Sequence, residues 1–407
     1  RDKATSNICT SQALLANVVA MYSVYHGRDG LMDITNSIIN KTNKLNNLLA
    51  SFGIDIKTQL PLFDTIVIKD SKCPIIYNKL LEENIVVRKI NDREIGITFD
   101  ETTTADNIHK IFEIITSCFK INYDDYDDYD DYNYFKSDVN NENNDNIRKN
   151  VCNIDTQLYR KTDFLIGEVF KNYQTETELM RYISFLDKKD FTLCDGMIPL
   201  GSCTMKLNSA SQLQPLSWDS VMNIHPYTPS NFTKGYQEMI DMLSEKLKNI
   251  TGFPHISYQP NSGAMGEYSG LLCIKKYHES RKDNRDICVI PNSAHGTNFA
   301  SAKLARFNIV KYEDNISISE FENLIETHRD NIGCFMITYP GTNGVFQKNI
   351  KQIIEIIHKN GGLVYMDGAN MNAQVGLTSP AECGADVCHL NLHKTFCIPH
   401  GGGGPGM

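Results

Sequence analysis

From residue 263 onward, helical and extended apolar patterns alternate without a break. Helical spacing is seen at Gly266–His278, Asn298–Phe307, Ser319–His328 and Ile350–Lys359. Between and beyond these lie short apolar runs: Ile287–Ile290, Ile309–Tyr312, Cys334–Ile337, Leu363–Met366 and Val387–Leu392. Apolar residues three or four apart mark one face of a helix, and short continuous apolar runs mark strands buried on both faces. Strands of that kind, each followed by a helix, leave few topologies open, chiefly parallel neighbours joined by helical crossovers. The expected fold class is α/β, with a mostly parallel sheet covered on both faces.

In an open parallel sheet, ligands bind beyond the carboxyl ends of the strands. After Ile287–Ile290 come Ser293, Ala294, His295 and Gly296. Thr338 to Gly341 follow the Cys334 run, and Asp367 to Asn370, including Ala369, follow the Leu363 run. His393 and Lys394 end the run from Val387, and Gly401–Gly404 lies just beyond. The loop Pro260–Ala264 opens a helix. Each group alone has an ordinary explanation. Ser262 reads as an N-cap, His295 as a turn histidine and Asp367 as a turn former. His389 and His393 sit four apart, but along a strand they lie too far apart to share one ion easily, so no metal site is expected. Lys394 alone reads as a surface lysine; its functional reading is Schiff-base chemistry, since partial desolvation favours a neutral amine.

Taken jointly the groups fit pyridoxal 5'-phosphate. That cofactor needs a lysine, a carboxylate beside its pyridine nitrogen, an anion site and a flat partner for its ring. Lys394, Asp367, the Ser262–Gly263–Ala264 loop at a helix N-terminus and His295 supply these in turn.

Upstream, helical patterns cover Ser6–Tyr25, marked off by Gly27 and Gly30, and Ile34–Phe52, ended by Gly53. Thr65–Ile68, Ile85–Val87 and the alternation Ile95, Ile97, Phe99 read as strands, and Thr104–Phe119 as a helix. Residues 1–120 are thus expected to form a small α+β domain. Residues 121–155 hold three Asp-Asp-Tyr units and an Asn/Asp-rich stretch, too polar to offset the cost of ordering, and are expected to be a disordered insertion. Further helices are expected at Glu176–Lys189 and Phe232–Ile250, the latter ended by Gly252. Residues 156–407 are expected to form the cofactor-binding large domain, truncated at its C-terminus. A net charge of −9, with no basic patch, argues against nucleic-acid binding, and no apolar run is long enough to span a bilayer. Twelve cysteines without a Cys-x-x-Cys pair read as reduced thiols. A chain that begins at Arg1 and stops at Met407, just past a core strand, reads as a segment of a longer polypeptide.

Several stretches resemble the glycine cleavage system P-proteins, which are pyridoxal-phosphate-dependent glycine dehydrogenases (decarboxylating). They are Met197–Asn208 (MIPLGSCTMKLN), Pro260–Ala264 with Gly266–Tyr268, Ser293–Asn298 (SAHGTN), Asp367–Gly376 (DGANMNAQVG) and His389–Met407. Thr5–Gly27 resembles the end of that family's cofactor-free first half. Two positions depart: Gly341 stands where the family usually has serine, and Phe299 where proline is common. The resemblance implies a fold type I, aminotransferase-like large domain preceded by the tail and small domain of the first half. It places the Schiff-base lysine at Lys394, the pyridine-nitrogen carboxylate at Asp367, the stacking histidine at His295 and the phosphate loop at Ser262, Gly263 and Ala264. Thr338, Ala369 and His393 join the cofactor-binding set by neighbourhood. It implies decarboxylation of glycine, with Lys394 as proton shuttle, and transfer of the aminomethyl group to the lipoyl arm of the H-protein. It further implies a homodimer working with the other components of that system, in mitochondria. Two alternatives stay open: another fold type I decarboxylase or aminotransferase, and a catalytically silent fragment or assembly subunit.

Overall fold

The structure, a computed structural model, describes residues 14–57, 62–121, 160–191, 195–196, 211 and 214–396. The acidic stretch, the loop 197–208 and the glycine run 401–404 lie outside the described residues. Two compact units are present, one within residues 20–185 and the other formed mainly by 186–407.

In the first unit, helix α1 (Leu14–Ser51) is interrupted at Gly27, whose φ of 59° and ψ of −167° leave the helical region. Helix resumes at once, so Gly30 ends nothing. Strands β1 (Thr65–Lys69), β2 (Arg88–Asn91) and β3 (Glu94–Thr98) form an antiparallel sheet in the order β1-β3-β2. Ile66 faces Ile97 and Ile68 faces Ile95 across the central pair. These four pack with Leu45 and Leu49 of α1 and with Phe112 and Ile115 of α3 (Ala105–Phe119). Thr104 caps α3 through a capping box with Asn107.

Beyond α1, one helix of this unit was not expected and one expected strand is absent. Helix α2 (Cys73–Glu82) was not anticipated; Pro74 looks like a breaker but sits in the first turn, where its missing N–H costs nothing. Ile85–Val87 is not a strand. Ile85 donates its N–H to Leu80 O at 2.8 Å and so finishes the end of α2, with Asn84 left-handed at φ 58°; pairing starts only at Arg88. A further helix, α4 (Glu176–Asp187), follows as expected.

In the second unit, α5 (Lys234–Thr251) ends at Gly252, left-handed with φ 78°. Then come α6 (Gly263–Ser280), β4 (Ile287–Pro291), α7 (Gly296–Leu304), β5 (Asn308–Tyr312), α8 (Ile318–His328) and β6 (Ile332–Thr338). They are followed by α9 (Ile350–Lys359), β7 (Leu363–Gly368), α10 (Pro380–Cys383) and β8 (Val387–Leu390). The five strands are all parallel, in the order β5-β4-β6-β7-β8. Side chains alternate between two cores. Val289, Phe335, Val364 and Met366 pack on Phe321 of α8 and Ile353 of α9. Cys288, Ile290, Met336 and Tyr365 pack on Leu271 and Ile274 of α6 and Ala302 of α7. The expected parallel sheet with helices on both faces is present.

The chain winds outward from β4 to β5 and then returns to place β6 on the other side of β4. Their carboxyl ends therefore flank a topological switch point, where such sheets bind ligands. A cavity of about 100 Å³ opens there, bounded by Ser293, Ala294, Thr338 and Gly341.

Candidate active site

Three adjacent strands end on one row. Thr338 is the register partner of Asp367, and Asp367 of His389, so β6, β7 and β8 set these residues side by side. All three are buried. Asp367 Oδ1 accepts the N–H of Ala369 at 2.9 Å, and Oδ2 accepts from Asn298 Nδ2 at 2.9 Å. His389 Nε2 approaches Oδ1 at 3.4 Å and Asn391 Oδ1 at 3.2 Å, while Nδ1 meets Tyr365 Oη at 2.7 Å. The Thr338 hydroxyl is buried and has no hydrogen-bond partner among the described residues.

Burial alone would push the Asp367 carboxyl up. The charge His389 carries when protonated, then the Asn298 amide, the Ala369 N–H and Lys394, outweigh it and hold the group below the usual carboxylate range. Burial pushes His389 down, against the pull of Asp367. An anionic Asp367 would welcome a cationic imidazole, and the two tendencies conflict. The contacts favour the neutral ring: Nε2 faces two acceptors and donates, and Nδ1 accepts from Tyr365, whose hydroxyl burial keeps protonated.

The loop that opens α6 lies against this row. Ser262 caps the helix, its hydroxyl accepting the Met265 N–H at 3.2 Å. A β-carbon on Gly263 would sit 2.6 Å from Asn391 Nδ2, and one on Gly266 2.9 Å from His389 Cβ, so glycine is what lets the helix come this close. Ala264, one residue into the helix, is half-buried. His295 caps α7, its Nδ1 accepting the Thr297 N–H at 3.2 Å, and Asn298 of the same helix reaches Asp367.

Lys394 does not follow directly from a strand. β8 stops at Leu390, and Asn391 O accepts the N–H groups of Lys394 (2.9 Å) and Thr395 (3.1 Å), closing the helical turn α11 (Leu392–Thr395). The expected strand through Leu392 is thus two residues too long, because Asn391 leaves the extended ladder to start that turn. His393 is buried on the turn and Lys394 half-buried. Lys394 lies close enough for its charge to act on Asp367, His389 and Glu267.

The structure thus gathers Asp367, Ala369, Thr338, the Ser262–Ala264 loop and the Lys394 turn at the carboxyl ends of β6–β8. His295 stands apart from this group: it is exposed at the start of α7, next in sequence to the cavity residue Ala294. Sequence reasoning overlooked His389 as the partner of Asp367, and also Glu267, Asn298, Tyr365 and Asn391. The available signal was the period of two along Val387–Asn391, which puts His389 and Asn391 on the face where Asp367 lies.

The sequence pattern of the glycine cleavage system P-protein family matches residues 1–115 and 235–407. The chain is 47% identical over 413 residues to the mitochondrial glycine dehydrogenase (decarboxylating) of Solanum tuberosum, covering all of this chain and 38% of that protein. It is 47% identical to its counterpart in Pisum sativum, with 37% of that protein covered, and 45% identical to glycine dehydrogenase (decarboxylating) 2 of Colwellia psychrerythraea, with 41% covered. In each case the chain spans well under half the relative's length. Among solved structures, an inhibitor-bound glycine decarboxylase (P-protein) of the glycine cleavage system aligns with a TM-score of 0.46 at 15% identity, over 61% of this chain and 53% of that one. The chain belongs to the glycine cleavage system P-protein family.

Proposed function

We propose that this chain binds pyridoxal 5'-phosphate and carries out the decarboxylation of glycine, passing the aminomethyl group to the lipoyl arm of the H-protein. The observation that carries this reading is Asp367: a buried carboxylate held ionised at a strand end, one strand from the turn bearing Lys394. A carboxylate kept anionic in a desolvated site suits a protonated pyridine nitrogen as its counter-ion. The orphan hydroxyl of Thr338, in register with Asp367, suits a polar substituent of the same ring. The N–H groups at the start of α6 suit a phosphate. When bound, the cofactor supplies an electron sink for the carbanion left by loss of CO2.

The chain's own groups then divide the work. Lys394 holds the cofactor and moves the proton at the substrate carbon through its Nζ. Asp367 keeps the ring nitrogen protonated. Ser262, Gly263 and Ala264 hold the phosphate, His295 covers the ring, and Thr338, Ala369 and His393 complete the pocket. The working form is a homodimer that meets the lipoylated H-protein and the other glycine cleavage components, in mitochondria, as the names of the plant relatives suggest. The test is exchange of labelled bicarbonate into glycine by the cofactor-loaded chain. Stimulation by lipoylated H-protein is expected; a loaded chain with no stimulation refutes the reading.

A further inference from the structure

Behind Asp367 lies a second carboxyl with no role in the reading above. Glu267 sits on the face of α6 turned toward β7 and β8, between Gly266 and Gly270, and is 4% exposed. It is the only buried glutamate among the described residues. One atom from each of Glu267, Asp367 and His389 lies within 4.8 Å of the others. Glu267 Oε2 has no hydrogen-bond partner among the described residues, and Ser301 and Asn298 of α7 lie near enough to the carboxyl to favour its charged form. Asn298, which donates to Asp367, is thus a neighbour of both carboxyls. The groups facing the site are Asp367 and Tyr365 from β7, His389 from β8 and Lys394 from the following turn. Among the described residues, the charge of Lys394 acts on Glu267 and on His389, which burial pushes down.

We propose that Glu267 is a neutral carboxylic acid and a positioning residue: it leaves the pair's single negative charge on Asp367, where the cofactor's ring nitrogen meets it. This rests on the cofactor reading for its consequence, but not for the protonation itself. Two buried carboxylates this close cannot both ionise without a large cost, so one keeps its proton. Asp367 has the N–H of Ala369 as a donor and His389 Nε2 3.4 Å away. Glu267 has neither, and burial followed by the charge of Asp367 pushes it well above the usual range. A metal bridging the three groups would need both carboxyls ionised and would take the Asp367 oxygens from Ala369 and Asn298.

The test is infrared difference spectroscopy on the chain without cofactor, its glutamate carboxyls isotopically labelled. At neutral pH the wild type is expected to show a protonated-carboxyl band that moves with the glutamate label and is missing from Glu267→Gln. A folded wild type with no such band overturns the proposal. So does uptake of one zinc or manganese ion per chain that abolishes the band. If Glu267→Gln does not fold, Asp367→Asn serves instead: with the neighbouring charge gone, the labelled band must disappear at lower pH than in wild type, and an unchanged titration overturns the proposal. In the loaded protein, Glu267→Gln should bind pyridoxal 5'-phosphate within about threefold of wild type and leave the pH dependence of its absorbance in place. Glu267→Ala, which strands Ser301 and Asn298, should weaken binding about tenfold or more. Equal loss in the two variants means an ionised glutamate is required and overturns the proposal. A chain that shows the band but takes up no cofactor supports the neutral acid and refutes the cofactor reading alone.

Discussion

Asp367→Asn separates the charge of this carboxylate from its shape. The two oxygens of Asp367 accept from opposite sides: Oδ1 from Ala369 N, with His389 Nε2 3.4 Å away, and Oδ2 from Asn298 Nδ2. An asparagine can satisfy only one side. Placing its oxygen toward Ala369 is the cheaper choice, because that N–H stays served and the oxygen still faces His389. Its amide nitrogen then faces the Asn298 amide, donor against donor, in a site 3% exposed. A buried donor left unmade costs about 1–3 kcal/mol, and the surviving hydrogen bonds each lose about 1 kcal/mol of charge assistance. Relief of carboxylate desolvation and of the repulsion with Glu267 offsets part of this. A net loss of about 2 kcal/mol is expected. For a unit of this size that lowers the melting temperature by about 4–8 °C. Urea and thermal unfolding followed by circular dichroism, without cofactor, measure it. The sign with pH follows from the lowered folded-state pKa. The wild type's advantage is full above the unfolded carboxylate value of about 3.9 and is lost as pH falls through the lower folded value. A variant as stable as wild type at neutral pH, or a gap that widens in acid, would refute the description of Asp367 as a buried, ionised acceptor.

His358 donates toward Asp386 across 2.8 Å, and that hydrogen bond raises its pKa above the ordinary 6.5 despite partial burial. The stabilisation is full below the unfolded value and lost as pH rises through the folded one. With 37% of the side chain exposed it is worth well under about 1 kcal/mol, so His358→Gln should be mildly destabilising at pH below 6.5 and near neutral in alkali, by urea titration at both pH values. Gly263→Ala pushes a methyl toward Asn391 and should weaken cofactor binding about tenfold while changing urea stability by about 1 kcal/mol, checked by cofactor titration beside unfolding.

The parallel sheet was legible because its strands are unbroken apolar runs such as Cys334–Ile337, and its helices carry a clear period in Ile350–Lys359. Strand ends were legible for the same reason, so Asp367 and Thr338 could be named before their partners were known. What stayed hidden depends on contacts between elements far apart in the chain. Glu267 reads as one more helical glutamate until α6 comes close to His389 through Gly266. His389 looked like a strand histidine because its partner lies 22 residues upstream at the adjoining position in β7. Local chemistry misled at Asn391, which ends a strand early.

The most direct test is covalent. Pyridoxal 5'-phosphate is added to the chain, the product is reduced with borohydride, and the labelled peptide is sequenced by mass spectrometry. A stoichiometric pyridoxyl group on Lys394, absent from Lys394→Ala, is the expected result. Label spread over surface lysines, or persisting in Lys394→Ala, would contradict a cofactor site at the carboxyl ends of β6–β8.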